Sequence, residues 1–154
     1  PPPPPPRGPP FLPRGAGHMR FLGWHCTPAG RAAADGVYPA QHAAHPLALE
    51  LTYARTFSAR DIAERSLQEM KRQTPINKAR EADWTNKLAA VLPDVKPGDS
   101  LLGFHRPDQG AMFQSGGRTL GTVDDPVFSA LFFGIWLSPA TSEPALRTAL
   151  IAQR

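Results

Sequence analysis

The chain is poor in cysteine, in net charge and in long apolar runs. The single cysteine, Cys26, cannot form a disulfide within the chain, which excludes a disulfide-stabilised scaffold and leaves the redox compartment open. The longest apolar run, residues 130–137, is too short to span a membrane, which takes roughly eighteen residues or more. Lys and Arg exceed Asp and Glu by only 17 to 13. The main basic cluster, Lys71-Arg72, has acidic neighbours, so we expect a solvated surface and no nucleic-acid partner.

The usual signatures of metal, nucleotide and hydrolase sites are also missing. No Gly-x-Ser-x-Gly elbow and no Gly-Lys-Ser/Thr phosphate loop occurs, so the sequence predicts no cofactor. His42 and His45 are three residues apart, but no Cys or Glu lies at ligand spacing, so we expect no metal. We interpret the histidines as scattered surface residues: His18, His25, His42, His45 and His105.

Proline is abundant but concentrated at the start of the chain. Nine of the 19 prolines lie in the first thirteen positions, where polyproline II is favoured and no apolar periodicity accompanies it. We therefore predict a disordered proline-rich tail at residues 1–17 and one domain at residues 18–154; the alternative is a polyproline ligand for a partner. Because the chain begins at Pro1, we expect a fragment or a processed end.

The rest of the chain predicts an α+β domain with an antiparallel sheet. Leu47 to Arg55 alternates as a half-buried strand, and Ser58, with Asp61 three residues later, opens a helix that ends before Pro75. Further predicted elements are a weak strand at 18–26 broken at 26–30, a helix at 78–91, strands at 100–105, 111–114 and 118–123, a helix capped by Asp125 with Pro126 first, and a last helix capped by Ser142 with Ala145, Leu146, Ala149 and Leu150 inward. Clustered strands and clustered helices indicate helices packed on one sheet.

An aromatic stripe marks the helix after Asp125. Its members are Phe128, Phe132, Phe133 and Trp136. Core packing is the default interpretation of such spacing. The alternative is a hydrophobic ligand site in a crevice between sheet and helices.

Three segments resemble one known family. They are the helix-opening segment 57–66 (FSARDIAERS), the turn 94–99 (DVKPGD) before a strand and hairpin, and the segment 121–137 (GTVDDPVFSALFFGIWL). Together, over about Leu47 to Leu150, they resemble the chalcone isomerase-like family. The resemblance implies an open-faced sandwich, an antiparallel β-sheet covered on one side by α-helices. That family includes isomerases that cyclise chalcones and relatives that bind fatty acids without catalysis; its bacterial branch is usually exported.

The resemblance also implies the site residues. The enzymes carry a Tyr and an Asn on the first helix, where this chain has Ile62 and Glu69, and a hydroxyl on the last helix, where it has Leu131 and Phe132. Without those donors an enzyme loses its fixed electrostatic stabilisation of negative charge, so we expect no catalytic residues. The family's ligand-gripping Arg corresponds to Arg20, next to Phe21; an Arg can bind a carboxylate bidentately.

We therefore predict a non-catalytic binder of a small hydrophobic or fatty-acid-like, carboxylate-bearing ligand. The alternatives are an isomerase of chalcone type with a rearranged site and a structural or partner-binding domain with no ligand. The resemblance implies a periplasmic or exported protein, although no signal peptide is visible and a cytoplasmic location stays open. Residues 26–34 depart from the family pattern, which suggests a reading-frame error or a degraded segment.

Overall fold

The computed structural model describes 11 helical and strand elements. It describes residues 12–14, 19–21 and 24–33 as backbone strands, and residues 42–44, 46–145 and 147–148 together with their side chains. The strands are β1 Leu12–Arg14, β2 Met19–Phe21, β3 Trp24–Ala33, β4 Leu47–Tyr53, β5 Ser100–Arg106, β6 Gly110–Ser115 and β7 Arg118–Val123. The helices are α1 Ala59–Met70, α2 Lys78–Val91 and α3 Pro126–Leu137, with a 3-10 turn at His42–Ala44.

The strands form one antiparallel sheet in the order β1-β3-β4-β5-β6-β7, and β2 also pairs with β3. The predicted α+β class and the predicted helix-covered antiparallel sheet are confirmed. The sheet includes β1, which lies within the range 1–17 that the sequence assigns to a tail. Residues 1–11 and 15–18 lie outside the described part of the chain.

The predicted strand break at residues 26–30 is wrong, because β3 runs without interruption from Trp24 to Ala33. Its register against β4 shifts between Pro28 and Gly30, which is a β-bulge. β2 pairs with residues 24–26 and β1 with residues 31–33, so neither pairs with residues 27–30 of β3. A proline lacks the backbone donor of a ladder and is tolerated at bulges and beside unpaired edges. The composition of this segment therefore fits a bulged strand rather than a degraded one.

All three helices pack on one face of the sheet. In β4 that face carries the alternating apolar residues that the sequence predicted, and all of them are buried. Because paired residues share a face, the register extends it to Leu101 and Phe113 in the next strands. The core residues of β4 and the helices include Leu47, Leu49, Leu51, Tyr53, Ile62, Leu67, Trp84, Leu88, Phe128, Phe132 and Trp136. Burial of these side chains is the main force that joins the layers.

Side-chain caps fix where the helices begin. The Ser58 hydroxyl accepts a hydrogen bond from the Asp61 amide at 3.0 Å, as the sequence predicted. Asp125 caps α3 by accepting from the amides of Val127 at 2.9 Å and Phe128 at 3.2 Å. Its other carboxylate oxygen accepts from Trp84 Nε1 at 3.0 Å, which connects the start of α3 to α2.

The predicted last helix is present in the described C-terminal residues, but its predicted cap is wrong. Residues 144–145 and 147–148 are helical, and the Arg147 amide donates to the Glu143 carbonyl at 3.1 Å, as in a helix. The Ser142 hydroxyl donates to the Glu69 carboxylate instead of capping this helix. Ala145, predicted to point inward, is exposed. Leu146, Ala149 and Leu150 lie outside the described residues.

Candidate functional site

The aromatic stripe of α3 is closed around Phe132. The Phe132 ring stacks on Phe128 with centroids 5.8 Å apart, and it meets Phe113, Phe133 and Trp136 edge-on at 5.2–5.4 Å. Its exposed fraction is 3%. Offset and edge-to-face pairs of this kind stabilise an aromatic core beyond their burial. In the described interior, this predicted ligand-binding residue is a packed core residue.

Ile62 and Leu131 have different surroundings. Ile62 lies on α1 and is part of the same hydrophobic core. Leu131 is only half-buried and packs against the margin of that core. Its carbonyl accepts a hydrogen bond from Gln73 Nε2 at 2.7 Å, so the chain after α1 is tied to α3 at this point. An aliphatic side chain at either position offers contact area but no hydrogen-bond donor.

Glu69 lies at the junction of α1 with the end of α3. Only 6% of the residue is exposed, and its carboxylate accepts from the Ser142 hydroxyl. Nearby side chains donate hydrogen bonds to backbone carbonyls in the last turn of α3 and just after it. Thr141 Oγ1 donates to Ile135 O at 2.6 Å, and Arg72 Nε donates to Ala140 O at 3.2 Å. A helix leaves its last carbonyls without intrahelical partners, and side-chain donors satisfy them here. Glu69 thus belongs to a polar contact that holds the chain beyond α3 against α1.

Arg20 and Phe21 lie in β2, where the backbone pairs Arg20 with His25 and Phe21 with Trp24. Their side chains are outside the described part of the chain. The other predicted site residues have different surroundings in the described structure: Ile62 and Phe132 are core residues, Leu131 is at the core margin and Glu69 is at the α1–α3 junction.

The grooves on the surface of the described residues include one between α1 and α2 and one between α2 and β7. The first, of about 480 Å³, is lined mainly by charged and polar side chains, including Arg60, Glu64 and Asn86. The second, of about 450 Å³, lies at the end of α2, near Asp124. Neither contains a predicted site residue. In the groove between the helices, Arg60 Nη2 already donates to Asn86 Oδ1 at 3.0 Å.

A buried cluster that the sequence did not predict joins the 3-10 turn to the sheet and to α3. We call His42, His105 and Ser129 the histidine cluster. His105 Nδ1 lies 2.5 Å from Ser129 Oγ, and His105 Nε2 lies 2.9 Å from Ala43 O. His42 Nε2 lies 2.9 Å from Ala130 O. The interpretation of these two histidines as surface residues is wrong, since both are buried.

Burial sets the protonation of the histidine cluster. Desolvation lowers the pKa of His42 below its ordinary value, against the hydrogen bond to Ala130, and the positive charge of Arg147 lowers it further. Desolvation likewise lowers the pKa of His105, and the neighbouring His42 adds to this effect. The sequence carried one signal that His105 is buried. Side chains of a strand alternate between its two faces, so His105 lies on the same face of β5 as Leu101, the face that the pairing with Leu47 places toward the helices.

The described geometry defines an α+β open-faced sandwich with an aromatic core between its layers. The chain matches the chalcone isomerase-like family over residues 27–152. It belongs to that family, as the sequence resemblance predicted. The match includes most of residues 26–34, which the sequence suggested were degraded.

Two individual proteins are similar to this chain. An uncharacterised protein of Haemophilus influenzae is 26% identical over 130 residues, which are 84% of this chain and 62% of that protein. The chain therefore spans about 62% of that relative's length. A crystal structure of a fatty-acid binding protein of Arabidopsis thaliana has the same fold, with a TM-score of 0.68, 10% identity, and coverage of 92% of this chain and 86% of that one. Across the described residues, no helix is long and apolar enough to cross a bilayer.

Proposed function

We propose that this domain binds a small hydrophobic ligand that carries a carboxylate, and that it does not convert the ligand. The ligand class is supported by the fold shared with the Arabidopsis fatty-acid binding protein. The absence of conversion is supported by Ile62 and Glu69, at the positions where the family resemblance assigns a hydroxyl and an amide. Ile62 is a core aliphatic, and Glu69 accepts from Ser142. An acceptor-only carboxylate and an aliphatic group cannot donate to a developing phenolate.

The proposal also concerns where the ligand binds. The interior around Phe132 is filled by aromatic rings, so a chain-like ligand cannot enter there without displacing core side chains. We therefore propose that the ligand binds near the paired strands β2 and β3, where the Arg20 guanidinium binds its carboxylate. A guanidinium can form two parallel hydrogen bonds with a carboxylate, which gives both affinity and orientation.

Palmitate and its methyl ester provide a matched test of this proposal. We expect palmitate to bind and to be retained in native mass spectrometry, and the ester to bind more weakly, because the ester lacks the charge that Arg20 would grip. Arg20→Ala should weaken palmitate binding by about 1.5–3 kcal/mol, the typical value of a hydrogen bond to a charged group. That loss is roughly ten- to a hundredfold in the dissociation constant. Isothermal titration calorimetry measures both ligands and both proteins.

Arg118→Ala is the matched control, because Arg118 is exposed on β7 at the other edge of the sheet. It should leave palmitate affinity unchanged. If neither palmitate nor its ester binds the wild-type protein, the binding proposal is wrong. If palmitate binds equally well to Arg20→Ala, only the proposed anchor is wrong. Turnover of a chalcone above its spontaneous rate would contradict the non-catalytic part of the proposal.

We also propose that the protein is exported to the periplasm, which rests on the resemblance to the bacterial branch of the family. Expression from the natural locus with a C-terminal epitope tag should place the protein in the periplasmic fraction after osmotic shock. Recovery of the tagged protein with a cytoplasmic marker enzyme would contradict this location.

A further inference from the structure

The hydrogen bonds of the histidine cluster determine which nitrogen atoms carry protons. A carbonyl oxygen can only accept, so His105 Nε2 donates to Ala43 O and His42 Nε2 donates to Ala130 O. In neutral His105 the other nitrogen, Nδ1, then accepts from the Ser129 hydroxyl. These three bonds connect parts of the chain that are 24, 62 and 88 residues apart in sequence.

Among the described side chains of the elements packed around the cluster, none offers a negative charge to stabilise a protonated imidazole. Helix α3 and strand β6 contain no titratable side chain. In β4, Glu50 is paired with Leu102 and so lies in the strand row that alternates with the His105 row. Of the described charged groups, Arg147 acts on His42 and His42 acts on His105, and both disfavour protonation.

We propose that His42 and His105 form an acid-sensitive latch that fixes the 3-10 turn to β5 and α3 near neutral pH and releases it when the imidazoles are protonated. Protonation of His105 places a proton on Nδ1, which then becomes a donor. The Ser129 hydroxyl can no longer donate to Nδ1, so it has to accept this bond and direct its own hydrogen to another acceptor. Protonation of both histidines buries two like charges beside Arg147. Releasing the turn hydrates these charges, while α1 and α2 keep their separate contacts. This latch does not depend on the proposed ligand.

The direction of the pH effect follows from the lowered pKa values. In the released or unfolded chain each histidine titrates near its ordinary value of 6.5, whereas in the closed latch its pKa is lower. At acidic pH the released state therefore binds more protons, and closure is weakened. The contribution of the latch is complete above about pH 6.5 and is lost as the pH falls through the pKa values of the closed state.

Hydrogen–deuterium exchange tests the latch, with rates corrected for the intrinsic effect of pH on amide exchange. Between pH 7.5 and pH 5, we expect the wild-type peptide that covers residues 42–46 to lose protection, because the released state binds more protons at pH 5 than the closed state does. Peptides from α1 and α2 should keep theirs. In His42→Gln/His105→Gln, whose amides do not titrate, protection of the turn should be the same at both pH values.

Ser129→Ala is the matched control, because it removes one hydrogen bond and leaves both titrating groups in place. It should lower protection at both pH values and retain the pH dependence. The latch is overturned if the wild-type turn is equally protected at pH 7.5 and pH 5, or if the double glutamine variant keeps the wild-type pH dependence. Should the double variant fail to fold, an NMR titration of the wild-type histidines decides: protonation of either cluster histidine at or above pH 6.5 rejects the latch.

Discussion

Replacing Phe132 with alanine should lower the free energy of unfolding by about 3–5 kcal/mol, the range for removing a buried phenylalanine from a packed core. The Phe132 ring contacts four other aromatic rings and is 3% exposed. The truncation leaves a cavity that neighbouring rings, themselves buried, cannot easily fill. Urea unfolding followed by circular dichroism measures the loss, provided that the slope of the transition is unchanged.

Leu131→Ala is the control for this prediction. Leu131 is its neighbour in sequence but is only half-buried, so its truncation should cost about 1 kcal/mol. The comparison decides between two interpretations of Phe132. If Phe132→Ala leaves stability close to wild type and abolishes palmitate binding, Phe132 lines a ligand site, as the sequence predicted, and the closed core described above is wrong.

Local signals in the sequence predicted most of the helices and of the meander. Ser58 and Asp125 cap helices because their side chains reach amides two or three residues away, a relation that is fixed by sequence spacing. The alternation in β4 likewise predicted which residues are buried. Val127, in the first turn of α3, is 51% exposed although Phe128 beside it is fully buried, because successive residues of a helix point in different directions.

Features that depend on distant partners could not be predicted. Pro28 and Gly30 looked like strand breakers. Nothing in their local sequence reveals that residues 27–30 pair with β4 on one side only, because β1 and β2 pair with the residues before and after them. The burial of His105 has a local signal in its strand position, but its contact with the 3-10 turn has none, because that contact is made only in the folded chain.

In the candidate site, too, the positions of the residues could be predicted but their surroundings could not. The family resemblance correctly predicted the fold, and therefore which elements carry Ile62, Glu69 and Phe132. It could not predict the direction and packing of their side chains. Ile62 and Phe132 are held in the core by residues from other elements, and Glu69 is held by Ser142, which is 73 residues away in sequence.

Gly110→Ala should be among the most destabilising substitutions of small residues in this chain, with a loss of about 3 kcal/mol or more. Gly110 adopts φ = 129°, a region that residues with a Cβ rarely occupy and that costs roughly 1–3 kcal/mol of strain. A Cβ at this position would also overlap the carbonyl oxygen of Val123 and would lie 2.7 Å from the Asp125 amide nitrogen. Backbone atoms cannot turn aside as a flexible side chain can, so strand β6 or the chain between β7 and α3 has to move.

Gly116→Ala separates the two causes. Gly116 also has a positive φ of 59°, but a Cβ there meets nothing within 4 Å, so it should cost only about 1–2 kcal/mol for the left-handed conformation. Urea unfolding of both variants gives the difference, and equal losses would contradict the argument from backbone overlap. A second measurement follows the displacement itself. Asp125 caps α3 and accepts from Trp84 Nε1 at 3.0 Å, so folded Gly110→Ala should show altered tryptophan fluorescence, whereas folded Gly116→Ala should match wild type.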